Sequence, residues 1–479
     1  MLKISLLLFC FFSFASSFAQ FSEAQKDSVL AKLSYNNSAY QLFIGFRPAD
    51  YQSKPQINPY KELSDKEVLE KLSNRYTDAS VYQELCIRYF SKNEMPKAEE
   101  YFNKAVPLYE NWVNEETKNT KPLLELMDLL LATKTYSIID KVLLNALEKF
   151  PQDKDVLEKA IIIYLDIFKD FDKTQYYINQ LLAVEPYNLS ACTYQIMIYD
   201  YQLLVALNQN KTDLPKLDIS IAEKALNANP KNIAYQHLYH FARVLKIYME
   251  VMTNFLLTTT DKSSMDYANL FKTLNKPQQK VFEEAYNFFK KNIDKAPKTA
   301  RESFLNTLGF IALYLNKNKE SKKYFQTYYD ETKNRIPLES LILINFIEKN
   351  WKETEKFVQV HIEQFNELTG YASLIKLYED YDKNANKAQE VIKKVEAIST
   401  SDPNRSLILA TWYLKHKNIE KASFYCDLLD AQSPEALWRN LALNVLKGDT
   451  ANARKYLDTI LQNTPNEKDA LQLKKILNL

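Results

Sequence analysis

The stretch YQELCIRYFSKNEMPKAEEYFNKA, Tyr82 to Ala105, decides how the rest of the chain is read. Leu85, Cys86 and Tyr89 fall on one face of a first helix at i, i+1 and i+4, and Ala98, Phe102 and Ala105 fall on one face of a second. Between them the polar run SKNEMP supplies a turn. Cys86 and Ala98 are small enough to let two antiparallel helices approach closely, while Tyr89 and Phe102 fill the groove beside that contact. Ala105 leaves room for another hairpin to dock. Alone, this is one helical hairpin among many. Repeated, it makes the protein a stack whose function lies in its surfaces.

The pattern does repeat. Leu126, Met127 and Leu130 take the first-helix places and Ile139, Leu143 and Ala146 the second, with Pro151 ending the unit. Ile161, Ile162 and Leu165, then Ile178 and Leu181, run to Pro186, 35 residues after Pro151. Ala222 and Ala225 precede Pro230, and Leu308, Gly309 and Ala312 precede Ser321 and Phe325. Leu409, Ala410 and Tyr413 precede Ala422, Cys426 and Pro434, and Ala453, Leu457 and Ile460 precede Pro465. Between Pro337 and Asp402 the helix–turn–helix rhythm continues without the small residues. This spacing resembles the tetratricopeptide (TPR) repeat, a helix–turn–helix unit of about 34 residues. The resemblance covers most of residues 76–465, with Pro403, Pro434 and Pro465 only 31 apart. It implies an all-α fold, a right-handed α-solenoid of about nine or ten stacked antiparallel hairpins (a TPR-like superhelix), similar to exported bacterial proteins of this type.

Composition agrees. Only four glycines against 16 prolines disfavour strand-rich folds and phosphate-cradling loops, both of which lean on glycine. Met1 to Ala19 carries one early positive charge, Lys3, an apolar run from Ile4 to Phe14 and a small-residue end at Ser17-Phe18-Ala19. That pattern predicts a secretory signal cleaved before Gln20, too short in its apolar run for the ~20 residues of a spanning helix. Cys10 lies within the run and lacks the small residues expected just before a lipidated cysteine. Removing 19 of 479 residues leaves 460, with no further stretch apolar enough to span a bilayer. The net charge of +2 with mixed signs argues against a nucleic-acid binder, which carries a basic stripe. Three mature cysteines, Cys86, Cys192 and Cys426, read as buried free thiols rather than a disulfide framework.

The expected organisation is residues 1–19 signal peptide, 20–75 N-terminal helix and irregular arm, 76–257 and 281–479 two stretches of TPR-like solenoid, and 258–280 an insertion or linker. Pro48, Pro55 and Pro59 prevent continuous helix in the arm, which should pack on the first repeats. Ser64-x-x-Glu67 and Thr299-x-x-Glu302 have capping-box spacing, and Thr464-Pro-Asn-Glu467 places proline at a first helical position. The last segment should be a capping helix with Leu471, Leu473, Ile476 and Leu477 towards the array.

Catalytic signatures are missing: no Gly-x-Ser-x-Gly, P-loop, dinucleotide fingerprint or His-Glu-x-x-His occurs. His237 and His240 form the sole His-x-x-His, and i, i+3 spacing brings two imidazoles to one metal in principle, but no carboxylate lies a turn away and a packing role is favoured. No cofactor or metal is expected. The resemblance implies that first helices line a concave side. It would then expose Gln83, Asn306, Phe310, Trp438 and Arg439 to a partner protein or peptide. The expectation is a non-enzymatic scaffold or adaptor of a bacterial cell envelope, in the periplasm or associated with the outer membrane. A glycan- or nutrient-binding partner of an outer-membrane transporter is the alternative, and a helical-toroid enzyme the third reading.

Overall fold

The computed structural model describes residues 21–33, 59–60, 62–115, 118–208, 215–258, 274–365, 367–465 and 467–479. The expected leader, most of the arm (34–58) and residues 259–273 of the expected insertion lie outside the described residues. Among the described residues there are 23 α-helices and no strand, as the sequence predicts. The first is α1 (Glu23–Leu30), followed by α2 (Asp65–Leu69). Ten successive pairs come next: α3 (Arg75–Ser91) with α4 (Met95–Glu115), α5 (Lys121–Ala132) with α6 (Tyr136–Lys149), and α7 (Lys154–Ile162) with α8 (Phe171–Val184). They continue with α9 (Leu189–Asn208) and α10 (Ser220–Ala228), α11 (Ile233–Thr258) and α12 (Lys276–Asn292), and α13 (Lys298–Tyr314) and α14 (Asn318–Thr332). The last four pairs are α15 (Arg335–Ile347) with α16 (Trp351–Phe365), α17 (Leu368–Lys376) with α18 (Ala385–Ala397), α19 (Pro403–Lys415) with α20 (Ile419–Asp427), and α21 (Pro434–Lys447) with α22 (Thr450–Asn463). The chain ends in α23 (Lys468–Leu477).

Eight pairs share one turn chemistry. Each turn holds a single left-handed residue, Asn93, Lys134, Lys169, Asn316, Lys349, Lys383, Lys417 or Gly448, with φ between 53° and 75°. The N–H of the next residue then reaches back to close the helix end, as from Glu94 to the Tyr89 carbonyl (2.9 Å), Lys317 to Ala312 (2.8 Å) and Asn418 to Tyr413 (2.8 Å). This closure satisfies carbonyls that the helix end would otherwise leave open. Glycine is the residue that adopts φ > 0 at least cost, yet only one of the eight turns uses it. Lysine and asparagine fill the others, which is how a chain with four glycines folds back so often. Five residues beyond each left-handed position sits a buried contact residue of the second helix: Ala98, Ile139, Thr174, Ser321, Thr354, Ala388, Ala422 and Ala453. Thr354 and Ala388 lie between Pro337 and Asp402, so the small residues expected to be missing there are present on the second helices.

Two first helices, α7 and α17, end in a π-helical turn, Ile163–Ile167 and Leu377–Tyr381. The π-turn adds one residue, and the closing bond accordingly spans six, from Asp170 to the Tyr164 carbonyl (2.9 Å) and from Asn384 to Tyr378 (2.8 Å).

The chain divides into two compact units. One comprises residues 48–249 and 287–304. Its first core is Val68, Val81, Leu85, Tyr89 and Ala98, with Tyr60 and Leu63 packed against it. The Arg88 guanidinium donates to the carbonyls of Tyr60 and Leu63 and pairs with Asp65 (3.0 Å), which ties residues 60–65 to the first hairpin. Ser64 and Glu67 form the predicted capping box at α2.

The other unit comprises residues 1–47, 250–286 and 305–479. Its core runs from Leu338 to Leu477 and takes in Phe21, Val29, Leu30 and Leu33 from the other end of the sequence. Helix α1 packs on α21 and α23. The N-terminal segment therefore does not follow its arm to the first repeats. In α23, Ala470, Leu473 and Leu477 share the buried face at i, i+3, i+7, whereas Leu471, expected inward, is 42% exposed because it falls between two turns of that stripe. Two further end signals are corrected: α13 starts at Lys298, placing Thr299 inside the helix, and Pro465 precedes α23, whose N-cap is Glu467.

Candidate partner-binding surface

The residues picked as a partner surface mostly turn out to be interior. Gly309 allows close approach of α13 and α14: a Cβ there would lie 2.5 Å from the Phe325 ring, and the Ser321 hydroxyl donates to the Gly309 carbonyl (2.6 Å). That approach locks Phe310 edge-on against Phe325 at 4.7 Å, leaving Phe310 1% and Asn306 2% exposed. Arg439 is 2% exposed. Its Nε donates to Thr411 Oγ1 (2.9 Å) on α19 and its Nη1 to the Glu435 carbonyl (3.0 Å), so it ties two hairpins together. Burial pushes the guanidinium down to about 10, with Cys426 and Glu435 pulling the other way. Asn306, Phe310 and Arg439 are thus corrected from surface to core. Gln83 is half-buried and accepts from the Tyr109 hydroxyl. Trp438 is half-buried against the core of its unit.

His237 is boxed by Phe241, Phe289 and Phe304, with ring centroids 6.1, 5.1 and 4.9 Å away, and His240 stacks on Phe288 at 4.6 Å. Burial, and secondarily His240, holds His237 down at about 3. Among the described residues no three His, Cys, Asp or Glu side chains gather as they would around a metal ion. Cys86, Cys192 and Cys426 are buried free thiols, pushed by burial up to about 11, 12 and 12.

A recurrent polar contact that sequence reasoning missed joins successive segments of the array. In four first helices a tyrosine hydroxyl bonds a carboxylate from the preceding segment while a lysine of its own second helix covers the ring. Tyr89 donates to Asp65 (2.7 Å) under Lys97, and Tyr164 to Asp140 (2.9 Å) under Lys173. Tyr378 bonds Glu355 under Lys387, and Tyr413 bonds Glu396 under Lys421. The tyrosine precedes its lysine by eight residues in the plain hairpins and by nine where the π-turn adds one. Burial would raise Glu355 and Glu396, yet their tyrosine and lysine partners hold both below the usual carboxylate range.

The seat of α1 is the most distinctive surface. Ser22 and Gln25 cap the helix reciprocally (Ser22 N to Gln25 Oε1, 2.8 Å). The Gln25 amide donates to the Ile476 carbonyl (2.8 Å), and Lys32 pairs with Asp469 (2.8 Å). Lys417, the left-handed residue of the α19–α20 turn, reaches both Glu23 (2.7 Å) and Asp27 (3.0 Å). Lys417, then Lys26, holds the Glu23 carboxyl down at about 2. A second surface feature is an aromatic trio, Phe346, Trp351 and Tyr381, with centroids 4.6 to 5.5 Å apart and Tyr381 36% exposed. No described helix is long and apolar enough to cross a membrane.

No family model and no curated protein matches this chain. Solved structures similar to it include yeast Tom70 (13% identity, covering 85% of this chain and 96% of that one, TM-score 0.32). Others are Naa15/Naa10 bound to HypK-THB (12%, 82% and 65%, 0.24) and the APC/C hetero-tetramer Cut9–Hcn1 (13%, 86% and 91%, 0.28). At those scores none of them speaks to the ligand of this chain.

Proposed function

We propose that the protein is a non-catalytic scaffold or adaptor of the TPR type, exported to a bacterial cell envelope, that grips a protein or peptide along its hairpin array. The observation that carries this reading is where the reactive side chains are spent. The tyrosine–carboxylate–lysine contacts, buried Arg439, boxed His237 and buried thiols are all used to hold helices together. Among the described residues, what these contacts leave open to a partner is surface. Immobilised chain 20–479 incubated with envelope extract should recover a defined protein partner by cross-linking mass spectrometry. Trp438→Ala should weaken that capture while circular dichroism stays unchanged. Recovery of nothing above background would count against the reading.

The second reading, a glycan-binding partner of an outer-membrane transporter, is favoured by one feature, the partly exposed trio Phe346, Trp351 and Tyr381. Rings of this kind present apolar faces that can stack on sugars. Retention on a polysaccharide column that disappears in Trp351→Ala would promote it over the scaffold reading.

A further inference from the structure

Helix α1 sits on α21 and α23 in a way that differs from every hairpin contact in its unit. It comes from the opposite end of the sequence, and its polar contacts span 390 to 451 residues. Its eight residues are too few to hold a helix in water without a docking surface. Its apolar anchors are the four side chains Phe21, Val29, Leu30 and Leu33, and its acidic edge, Glu23 and Asp27 one turn apart, meets Lys417 of the array, with Lys26 of its own helix also on Glu23. Short amphipathic helix, apolar seat and a charge pair fixing its direction are the components of helix-in-groove recognition.

We propose that the surface made by α21, α23 and Lys417 is the helix-binding site of the scaffold, and that α1 is its resident occupant, displaced when a partner presents a helix of the same chemistry. The inference rests on the scaffold reading and specifies it. The partner helix carries two carboxylates at i, i+4, then an apolar pair and a further apolar residue three positions on, as in Glu23, Asp27, Val29, Leu30 and Leu33. Covalent tethering gives α1 a high effective concentration at the site, so an outside helix competes only when the partner adds contacts elsewhere or α1 is weakened.

The test uses the whole chain and a labelled peptide of residues 21–33, FSEAQKDSVLAKL. Val29→Asp with Leu33→Asp weakens the resident helix without touching its seat. The doubly substituted chain should bind the peptide saturably and at least tenfold more tightly than wild type. Adding Lys417→Glu should weaken that binding about fivefold, the scale of two exposed ion pairs. A peptide carrying Glu23→Lys and Asp27→Lys should regain the loss. Equal binding by both chains overturns the proposal. So does hydrogen exchange at unfolded rates in α21–α23 of the substituted chain, which would make α1 an inseparable part of the core. A partner captured equally by both chains overturns the proposal and leaves the scaffold reading standing, whereas peptide binding with no partner capture does the reverse.

Discussion

His237 shows how a single residue changes meaning between sequence and structure. Its i, i+3 relation to His240 is visible in the sequence and suits a metal. Its aromatic box is not visible, because Phe289 and Phe304 come from two later helices. Burial sets the folded value at about 3, far below the ordinary 6.5. Between those two pH values the unfolded chain takes up a proton that the folded chain refuses, so stability falls as pH drops through this window. The slope is up to about 1.4 kcal/mol per pH unit. Urea midpoints compared between pH 7 and 5 should show a shallower loss for His237→Phe than for wild type. An identical pH dependence would mean that the imidazole does titrate in the fold. Arg439 and Phe310 lie inside, against the sequence expectation, for a related reason: helical spacing gives a face, and only the neighbouring hairpin decides whether that face is covered.

At the scale of the element, the turns hold what the prolines obscured. Lys349, Lys383 and Lys417 are 34 apart, whereas the step from Lys417 to Gly448 is 31, the same as between Pro403, Pro434 and Pro465, so the repeat period holds across the earlier turns and shortens in the last hairpins. A left-handed lysine costs about 1–2 kcal/mol relative to its ordinary conformation. Lys349→Gly should therefore raise the melting temperature, by an amount equivalent to about 0.5–1 kcal/mol once the looser unfolded chain is counted. Gly448→Ala should lower it by about 1 kcal/mol through the backbone alone, since an added Cβ there meets nothing within 4 Å. The π-turns account for another difference between pattern and structure. The sequence put Leu165 in the place of Tyr89, but the extra residue moves Tyr164 into the contact with Asp140 and Lys173. A one-residue insertion leaves the apolar pattern of a short helix intact, so periodicity could not reveal it.

For the whole molecule, the stack was legible and its long-range closure was not. Ten pairs of helices follow from a pattern that each hairpin carries in itself. The docking of α1 near the C-terminus depends on residues some 400 positions apart, and its local signs, the Ser22–Gln25 cap and the Val29, Leu30, Leu33 spacing, say that a helix exists and not where it goes. Repeat arrays gain stability from neighbour-to-neighbour contacts, so damage should stay local. Thr411→Val keeps the side-chain shape but removes the acceptor of Arg439, at a cost of about 2 kcal/mol. Hydrogen exchange should quicken across α19 to α22 and stay unchanged in α14; quickening throughout would mean the unit melts as one body.

The lysines at the hairpin tips carry one more consequence. Lys349, Lys383 and Lys417 stand on successive hairpins, and packed helices lie roughly 8–10 Å apart. Their amines form a graduated scale along this part of the molecule. A short amine-reactive cross-linker would join neighbouring marks and skip the next but one, so any loosening between layers would register as a missing link.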